Sequence, residues 1–446
     1  MPECLRPRET RQLDETPPYG RPYEPFRQLP PHSALTAAGP SAAPAELQRA
    51  GTTNFPCALM ISLLKWTRVF VNRFKAPLPP RRFPTTGFQT IPASTILEEE
   101  RFNSFSDGHY YPVNIGDLFA SKYQVIGKLG IGSASTVWLA QDLQSHRYVT
   151  LKIYTRDESH AEEFNIYQHI SQGNSSHPGY GYPMWDSFHD LLFRNPRRRF
   201  TEDQLRYGLM KVFPALDYLH TECKVVHTDI KGGNILQEIE DGSILDAFTT
   251  DEMETPSPRK LVDGMPVYAS RRFGLPRTFG RAVLSDFCSA VRGDERRDHD
   301  AQPAVYRSPE VMLQMEWSYP IDIWNVGVMI WDIFEGKHMF YGEDPDGKGY
   351  STRAHLAEVI GLLGHPPLDL LQRGKRSHEF FTEDGRWKQD IPIPHTGGLE
   401  SSEEYLEGSN KKTFLSFMRG MLQWRPEDRK TAQELLRDPW LNGDTV

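Results

Sequence analysis

In residues 201–223 the apolar positions Leu205, Leu209, Val212, Leu216 and Leu219 return every three or four residues, the spacing of one buried helical face. Upstream the period is two. Tyr123–Leu129, Thr136–Gln141 and Tyr148–Tyr154 read as strands, the first two meeting around a glycine turn. Residues 158–170 and Trp185–Arg194 read as helices, and more helices are predicted at 309–316, 321–335, 353–364, 411–424 and 431–437. Strands first and helices after predict an α+β chain, a small β-rich lobe on a larger helical one. Pro214 conflicts with its own helix. It removes a hydrogen bond and meets the carbonyl of Met210, at a cost of about 3 kcal/mol or a kink.

Composition changes this picture mainly at the N-terminus. Residues 1–54 are rich in Pro, Ala and polar residues and hold too little apolar surface for a core, so 1–97 reads as a disordered or targeting extension. Residues 59–75 differ. Lys65, Arg68, Asn72 and Lys75 fall on one helical face and Leu63, Trp66, Phe70 and Phe74 on the other, with no acidic residue between Glu46 and Glu98. Such a basic amphipathic segment resembles an organelle presequence or a membrane-surface helix. It makes the mitochondrion an alternative destination through residues 60–75; a lobe-packing helix or a plain arm are the other readings. No apolar run reaches membrane-spanning length. The net charge of −8 divides into +3 over residues 1–100 and −11 over the rest. An acidic domain disfavours direct nucleic-acid binding and agrees with a basic protein partner, though ordinary solubility charge explains it equally. The four cysteines lack metal-ligand spacing and fit a reducing compartment.

Candidate chemistry begins at LGIGSASTVWLA, 129–140. Gly130, Ile131, Gly132, Ser133 and Ser135 form a small-residue turn followed by Val137, and such turns let backbone N–H groups approach phosphate oxygens. Lys152 lies on the third strand, where a lysine needs a partner. Glu163 on the next helix is the natural one and Glu162 its competitor; a plain surface lysine is the alternative. In HTDIKGGN, 227–234, Asp229, Lys231 and Asn234 have the spacing of a phosphoryl-transfer loop: a carboxylate to accept a hydroxyl proton, a lysine to neutralise the moving phosphate, an amide oxygen for Mg²⁺. Asp286 follows the apolar run AVLS, as a chelating aspartate should. YRSPE, 306–310, the helix opening at Asp322 and a late Arg429 complete an ordered set over about 300 residues.

This ordered set resembles the eukaryotic protein kinases. FSDGHYYPVNIGDLFASKYQVIGKLGIGSASTVWLA, HTDIKG, YRSPEVM and HLAEVIGLLGHPP look like the SR-protein kinase group, and most like its divergent fungal members. The resemblance covers residues 98–441: a small lobe over 98–184 and a large lobe over 185–441, with a spacer-like insert at 235–282 and a second insert at 353–396. It implies a serine/threonine kinase using ATP and Mg²⁺, acting as a monomer in cytoplasm and nucleus on Arg/Ser-rich proteins such as splicing factors. Asp229 and Lys231 would be catalytic. Gly130, Ile131, Gly132, Ser133, Ser135, Val137, Lys152 and Glu163 would bind ATP, and Asn234 and Asp286 the metal. Glu310, Asp322 and Arg429 would be structural, with Glu310 paired to Arg429. The only hydroxyls between Asp286 and Glu310 are Ser289, Tyr306 and Ser308, so no dependence on activation-segment phosphorylation is expected.

Three features depart from the family. Only GNSSHPGYGYPM, 173–184, stands where a kinase needs two strands and a hinge, which takes about 20 residues or more. The strand edge beside Lys152 and the adenine-binding hinge are then missing, and weak or no Mg-ATP binding is expected. The alternative function is a catalytically impaired pseudokinase that works as a protein-binding module; a small-molecule kinase is a third. Cys288 replaces the glycine of Asp-Phe-Gly and predicts a stiffer site without loss of Mg²⁺. Gly233 stands where relatives carry an acid and predicts a looser loop. Between Asn234 and Asp286 lie 51 residues, a docking or regulatory segment or simple disorder.

Overall fold

A computed structural model describes residues 76–132, 135–156, 161–171, 184–278 and 280–443, and the backbone of 61–63. Three long strands, β3 (Tyr123–Gly132), β4 (Ser135–Asp142) and β5 (Arg147–Tyr154), form an antiparallel meander. The expected alternation holds on them. Val125, Trp138, Ala140, Leu151 and Ile153 are buried together, while Lys152, between the last two, faces the opposite side of the pleat. The sheet is completed by β1 (Ile61–Leu63) and β2 (Leu118–Phe119), in the order β1-β5-β4-β3-β2.

β1 corrects the reading of 59–75 as a helix, at least over 61–63. It runs antiparallel to β5, with Ile61 opposite Ile153, Ser62 opposite Lys152 and Leu63 opposite Leu151. The edge beside Lys152 is therefore paired by chain from before the lobe. An unpaired edge presents a row of N–H and C=O groups to any extended segment, a tertiary preference that a count of helical faces does not weigh. The short stretch 173–183 itself lies outside the described residues, as do 64–75.

Residues 76–97 are also not a disordered arm. Leu78 N donates to Leu143 O (2.8 Å), and Arg81 exchanges two bonds with the Gln124 side chain (2.8 and 2.7 Å). Backbone hydrogen bonds hold this segment, and these leave no hydrophobic period in the sequence. After the short helix α1 (Asn103–Ser106), Tyr110 donates to Gly132 O at 3.2 Å and ties the extension to the glycine turn.

The helix α2 (Ala161–Ser171) follows the meander. Beyond the undescribed stretch comes β6 (Met184–Ser187), a strand where a helix was expected from Trp185. The helix α3 starts at Phe188 and ends at Arg194, because Ser187 and Asp190 form a reciprocal capping box there. Thr201 and Gln204 do the same for α4 (Glu202–Thr221), which continues through Pro214. Leu205, Leu209, Val212, Phe213 and Leu216, all fully buried around that proline, supply apolar burial that offsets the lost bond.

The insert after the strands β7 (Val225–Val226) and β8 (Ile235–Glu238) is ordered rather than disordered. It contains the helix α5 (Ser243–Glu254) and a hairpin of β9 (Arg259–Val262) and β10 (Met265–Tyr268). Phe248 of α5 packs with Ile126 and Leu139 of the small lobe. Gly127 is required there, since a Cβ would stand 2.7 Å from the Phe248 ring. Lys128, fully buried, pairs with Glu99 and with Glu98 (3.1 Å) and donates to Tyr268 O (2.9 Å). Extension, sheet and insert thus share one ionic knot. The strands β11 (Ala282–Leu284) and β12 (Val291–Arg292) bracket Asp286, and α6 (Pro309–Met312), α7 (Pro320–Glu335) and α8 (Thr352–Leu363) build the large lobe around a core that includes Trp324, Phe334 and Phe417.

Candidate active site

The loop between β7 and β8 carries Asp229, Lys231 and Asn234, and Asp322 holds it from below. At the first turn of α7, Asp322 is fully buried and accepts from His227 N and Thr228 N (both 2.8 Å) and from His220 (2.9 Å). Two loop amides are satisfied by one carboxylate, which fixes the backbone just before Asp229 and lets Thr228 sit at φ 67°. Lys231 Nζ lies 2.9 and 2.8 Å from the two Asp229 oxygens. Asn234 Nδ2 donates to Asp229 O (2.8 Å) and Oδ2 (2.9 Å). Both amide protons are so engaged, and the Asn234 carbonyl oxygen remains as its ligand atom.

Asp286 reaches this loop through the adjacent strand. Ser285 N donates to Asn234 O (2.8 Å), and His227 Nε2 bonds to Ser285 O (3.0 Å). Asp286 itself adopts φ 62°, a left-handed turn that brings its carboxylate back toward the sheet. Phe287 is buried between His227 (ring centroids 4.9 Å apart) and Tyr167 of α2 (5.4 Å). Tyr167 lies one helical turn after Glu163, so Phe287 orients the helix that presents Glu163.

Lys152 closes the site from the small lobe. Its Nζ donates to Glu163 Oε1 (2.8 Å), Asp286 Oδ1 (3.2 Å) and Cys288 Sγ (2.7 Å). Glu163 is the carboxylate bonded to it; the side chain of Glu162 lies outside the described residues. Burial works against the ammonium charge, but Asp286, Cys288, Tyr154 and Glu163 together offset it and hold the lysine protonated well above its ordinary range. Burial likewise opposes ionisation of Asp286, and Lys152, the Cys288 S–H bond and His227 reverse it, keeping the carboxylate below its usual value. The Cys288 thiol, which donates to Asp286 Oδ1 (2.8 Å), is pushed up by burial and by that carboxylate.

At the turn, Gly130 pairs with Val137, Ile131 with Thr136 and Gly132 with Ser135. Ser133 lies outside the described residues. The activation segment is anchored at its far end by Glu310 and Arg429, both buried, in a bidentate pair (2.6 and 2.7 Å). The residues that sequence reasoning missed are Tyr167, His220 and the linking role of His227. His227 stood within the quoted motif; the other two have no local signal.

The fit to a nucleotide and a hard divalent cation can be judged from the donor set. A carboxylate and an amide oxygen face a lysine that is held charged, beside a small-residue turn. These are the ligand types Mg²⁺ and phosphate take.

A two-lobed architecture with this loop and this ion pair defines a protein kinase fold, and comparison with known proteins agrees. The protein kinase domain family model matches residues 278–441. A solved kinase-domain structure superposes with a TM-score of 0.58 at 19% identity, covering 75% of this chain and 99% of the other. A serine/threonine protein kinase of Aspergillus fumigatus is 41% identical over 399 residues, covering 83% of this chain and 98% of the relative. The chain belongs to the serine/threonine protein kinases. It is also similar to a serine/threonine-protein kinase SRPK of Physarum polycephalum (28% identity, 77% of this chain and 91% of the relative) and to SRSF protein kinase 3 of mouse (23%, 79% and 92%).

Proposed function

We propose that this chain transfers the γ-phosphoryl group of Mg-ATP to serine in basic, Arg/Ser-rich proteins. The observation that carries the reading is the closed set Lys152–Glu163–Asp286 facing Asp229–Lys231–Asn234: a cation for the phosphates, ligands for the metal and a base within one cleft. When bound, Mg-ATP supplies the phosphoryl group and part of its charge neutralisation. The chain's own residues do the rest. Asp229, oriented by Asn234, accepts the hydroxyl proton of the substrate serine. Lys231 moves from Asp229 toward the transferred group and offsets its charge. Lys152 holds the nucleotide phosphates while Glu163 fixes its position. Asn234 Oδ1 and the Asp286 carboxylate hold the metal. Gly130 to Gly132 and Val137 cover the nucleotide.

The short stretch 173–184 favours weak hold on adenine, so the expected signature is a high KM for ATP with chemistry intact. The assembled charged residues argue for catalysis over a binding module that has lost it. Regulation by segment phosphorylation is not expected. Thr228 donates its hydroxyl to Ser289 O (2.9 Å) and holds the segment without charge. The −11 charge of residues 101–446 favours a basic substrate. The test is a kinetic comparison of an Arg-Ser repeat peptide with a Glu-Ser repeat peptide at increasing Mg-ATP. Preference for the basic peptide with unsaturated ATP kinetics is expected; equal rates on both peptides would remove the substrate assignment. A monomer working in cytoplasm and nucleus is part of the proposal; tagged-protein imaging showing mitochondrial residence would replace it with the targeting reading of residues 60–75.

A further inference from the structure

Pro256 ends α5. It disfavours helical backbone at the residue before it, and Thr255, at the helix C-terminus, turns out to φ −134°, ψ 80°. The chain then runs without helix through Thr255-Pro256-Ser257-Pro258 into β9. Among the described residues a serine or threonine precedes proline at Thr255, Ser257 and Ser308. Burial separates them. Ser308 is 0% and Ser257 1% exposed, and their hydroxyls are engaged by Gln302 (3.0 Å) and Glu252 (2.6 Å). Thr255 is exposed. It is a surface hydroxyl outside the helix, and the next residue has no N–H to satisfy. Such an acceptor suits the cleft of a proline-directed protein kinase.

The surroundings of Thr255 would respond to a phosphate. One terminal nitrogen of Arg271 already donates to Thr255 O, and Arg271 Nε donates to Glu252 Oε2 (2.9 Å). Glu252 is 1% exposed, and Ser257 N (2.8 Å) and Ser257 Oγ complete its bonds. A phosphothreonine carries a charge of about −2 and takes a guanidinium by a two-bond fork. Arg271 cannot offer that fork and keep Glu252. The phosphate would also stand at the C-terminus of α5, where the helix dipole opposes negative charge.

The helix α5 links the lobes. Phe248 shares its cluster with Ile126 and Leu139 of the sheet, with Phe273 and with Leu191 of α3. Tyr148 of β5 donates to Asp246 of α5 (2.8 Å), and Arg194 of α3 donates to Phe273 O (3.0 Å).

We propose that Thr255 is a phosphoryl acceptor for a proline-directed serine/threonine kinase acting in trans, and that its phosphate draws Arg271 from Glu252 and loosens α5 between the lobes. The site lies in the insert, outside the activation segment. In the step, the Pγ–O bond of the other kinase's ATP breaks and a bond from Thr255 Oγ to phosphorus forms. The hydroxyl proton goes to that kinase's base and ADP leaves. The effect on ATP use rests on the function proposed above; the site does not.

The test uses the full chain. Purified cyclin-dependent and mitogen-activated kinases, with Mg-ATP, act on the Asp229→Asn chain, so that phosphate found on it comes from the added enzyme. Peptide mass mapping locates it, with Thr255→Ala and Ser257→Ala as companions. Phosphate is expected at Thr255 in the parent and in Ser257→Ala, and is lost in Thr255→Ala. Phosphate on Ser257 instead, or none on Thr255 from either enzyme, overturns the site. Amide exchange over residues 249–254 is then compared with and without phosphate. It should become about 10-fold faster on modification, and a chain carrying Arg271→Gln should show little further change on modification. No change in the parent, or an equal change in Arg271→Gln, overturns the role of Arg271. In the chain with Asp229 intact, phosphorylation should raise the KM for ATP several-fold, and an unchanged KM overturns the link to the lobes. If that chain transfers no phosphate to an Arg-Ser peptide even unmodified, the functional reading fails, while mapping and exchange still decide the site.

Discussion

Two arginine- or lysine-to-carboxylate pairs hold this molecule at opposite ends of the activation segment, and they are built differently. Arg429 and Glu310 are both buried, joined by two parallel bonds, and the remaining guanidinium donors go to Pro320 O and Gln423 O while the plane lies over Trp324. Every polar atom has a fixed partner, so the pair has one arrangement. Lys152 and Glu163 share a single bond, and the ammonium divides itself between Glu163, Asp286 and Cys288. Its partners are those a phosphate or metal would take over. The difference teaches where stability ends and function begins. The first pair fixes the segment permanently. The second stores a positive charge that can be handed to a ligand.

Four changes would break or sharpen this contrast. Arg429→Ala leaves Glu310 buried and unpaired, and should cost about 3–5 kcal/mol, read as a fall in the denaturant midpoint; a loss under 1 kcal/mol would mean the pair is not a clamp. Lys152→Met leaves Glu163 buried without its cation, so it should cost some stability, less than Arg429→Ala because water or Mg-ATP can reach this site, and lower phosphoryl transfer by about 10²–10³-fold. A variant as fast as wild type would show that the ammonium does not act on phosphate.

Glu335 is the control for a buried acid without an arginine. It is 4% exposed with neither oxygen hydrogen-bonded, and burial, then Glu403, push it up to about 7 from 4.5. Because the folded value is the higher one, the folded state binds more protons between those values. Stability is whole below pH 4.5 and declines as pH rises toward 7. Glu335→Gln should therefore stabilise by about 3 kcal/mol at pH 8 and by little at pH 4.5. Thermal melts at both pH values check this; an equal shift at both would place the effect elsewhere. The smallest effect tests the edge beside Lys152. Removing residues 1–75 deletes β1 and should lower the melting temperature by a few degrees while raising the KM for ATP. Unchanged values would make the β1 pairing irrelevant to the lysine.

Much of this site was legible because its parts are local. Asp229, Lys231 and Asn234 stand on one loop within six residues, so spacing alone showed them. Lys152 and Glu163 followed from the cost of a charge on a strand. The meander and α4 followed from periods of two and 3.6. What stayed hidden was tertiary. Lys152 meets Cys288 across 136 positions, and no local pattern announces that. Sequence alone made Cys288 a question about backbone turning, whereas the structure makes it a partner of the lysine. Ile61–Leu63 has a helical pattern yet pairs with β5, since an open edge outweighs amphipathicity. The insert looked shapeless because its order comes from Phe248 and Lys128 packing across lobes.

The central claim is that this cleft transfers phosphate with Asp229 as the base. It is tested most directly by single-turnover transfer from Mg-ATP to an Arg-Ser peptide, wild type against Asp229→Asn, with both proteins shown to melt at the same temperature. The account predicts measurable transfer by wild type and a rate lower by about 10²–10⁴-fold in the variant. Equal rates, or no transfer by folded wild type at the highest Mg-ATP, would contradict it.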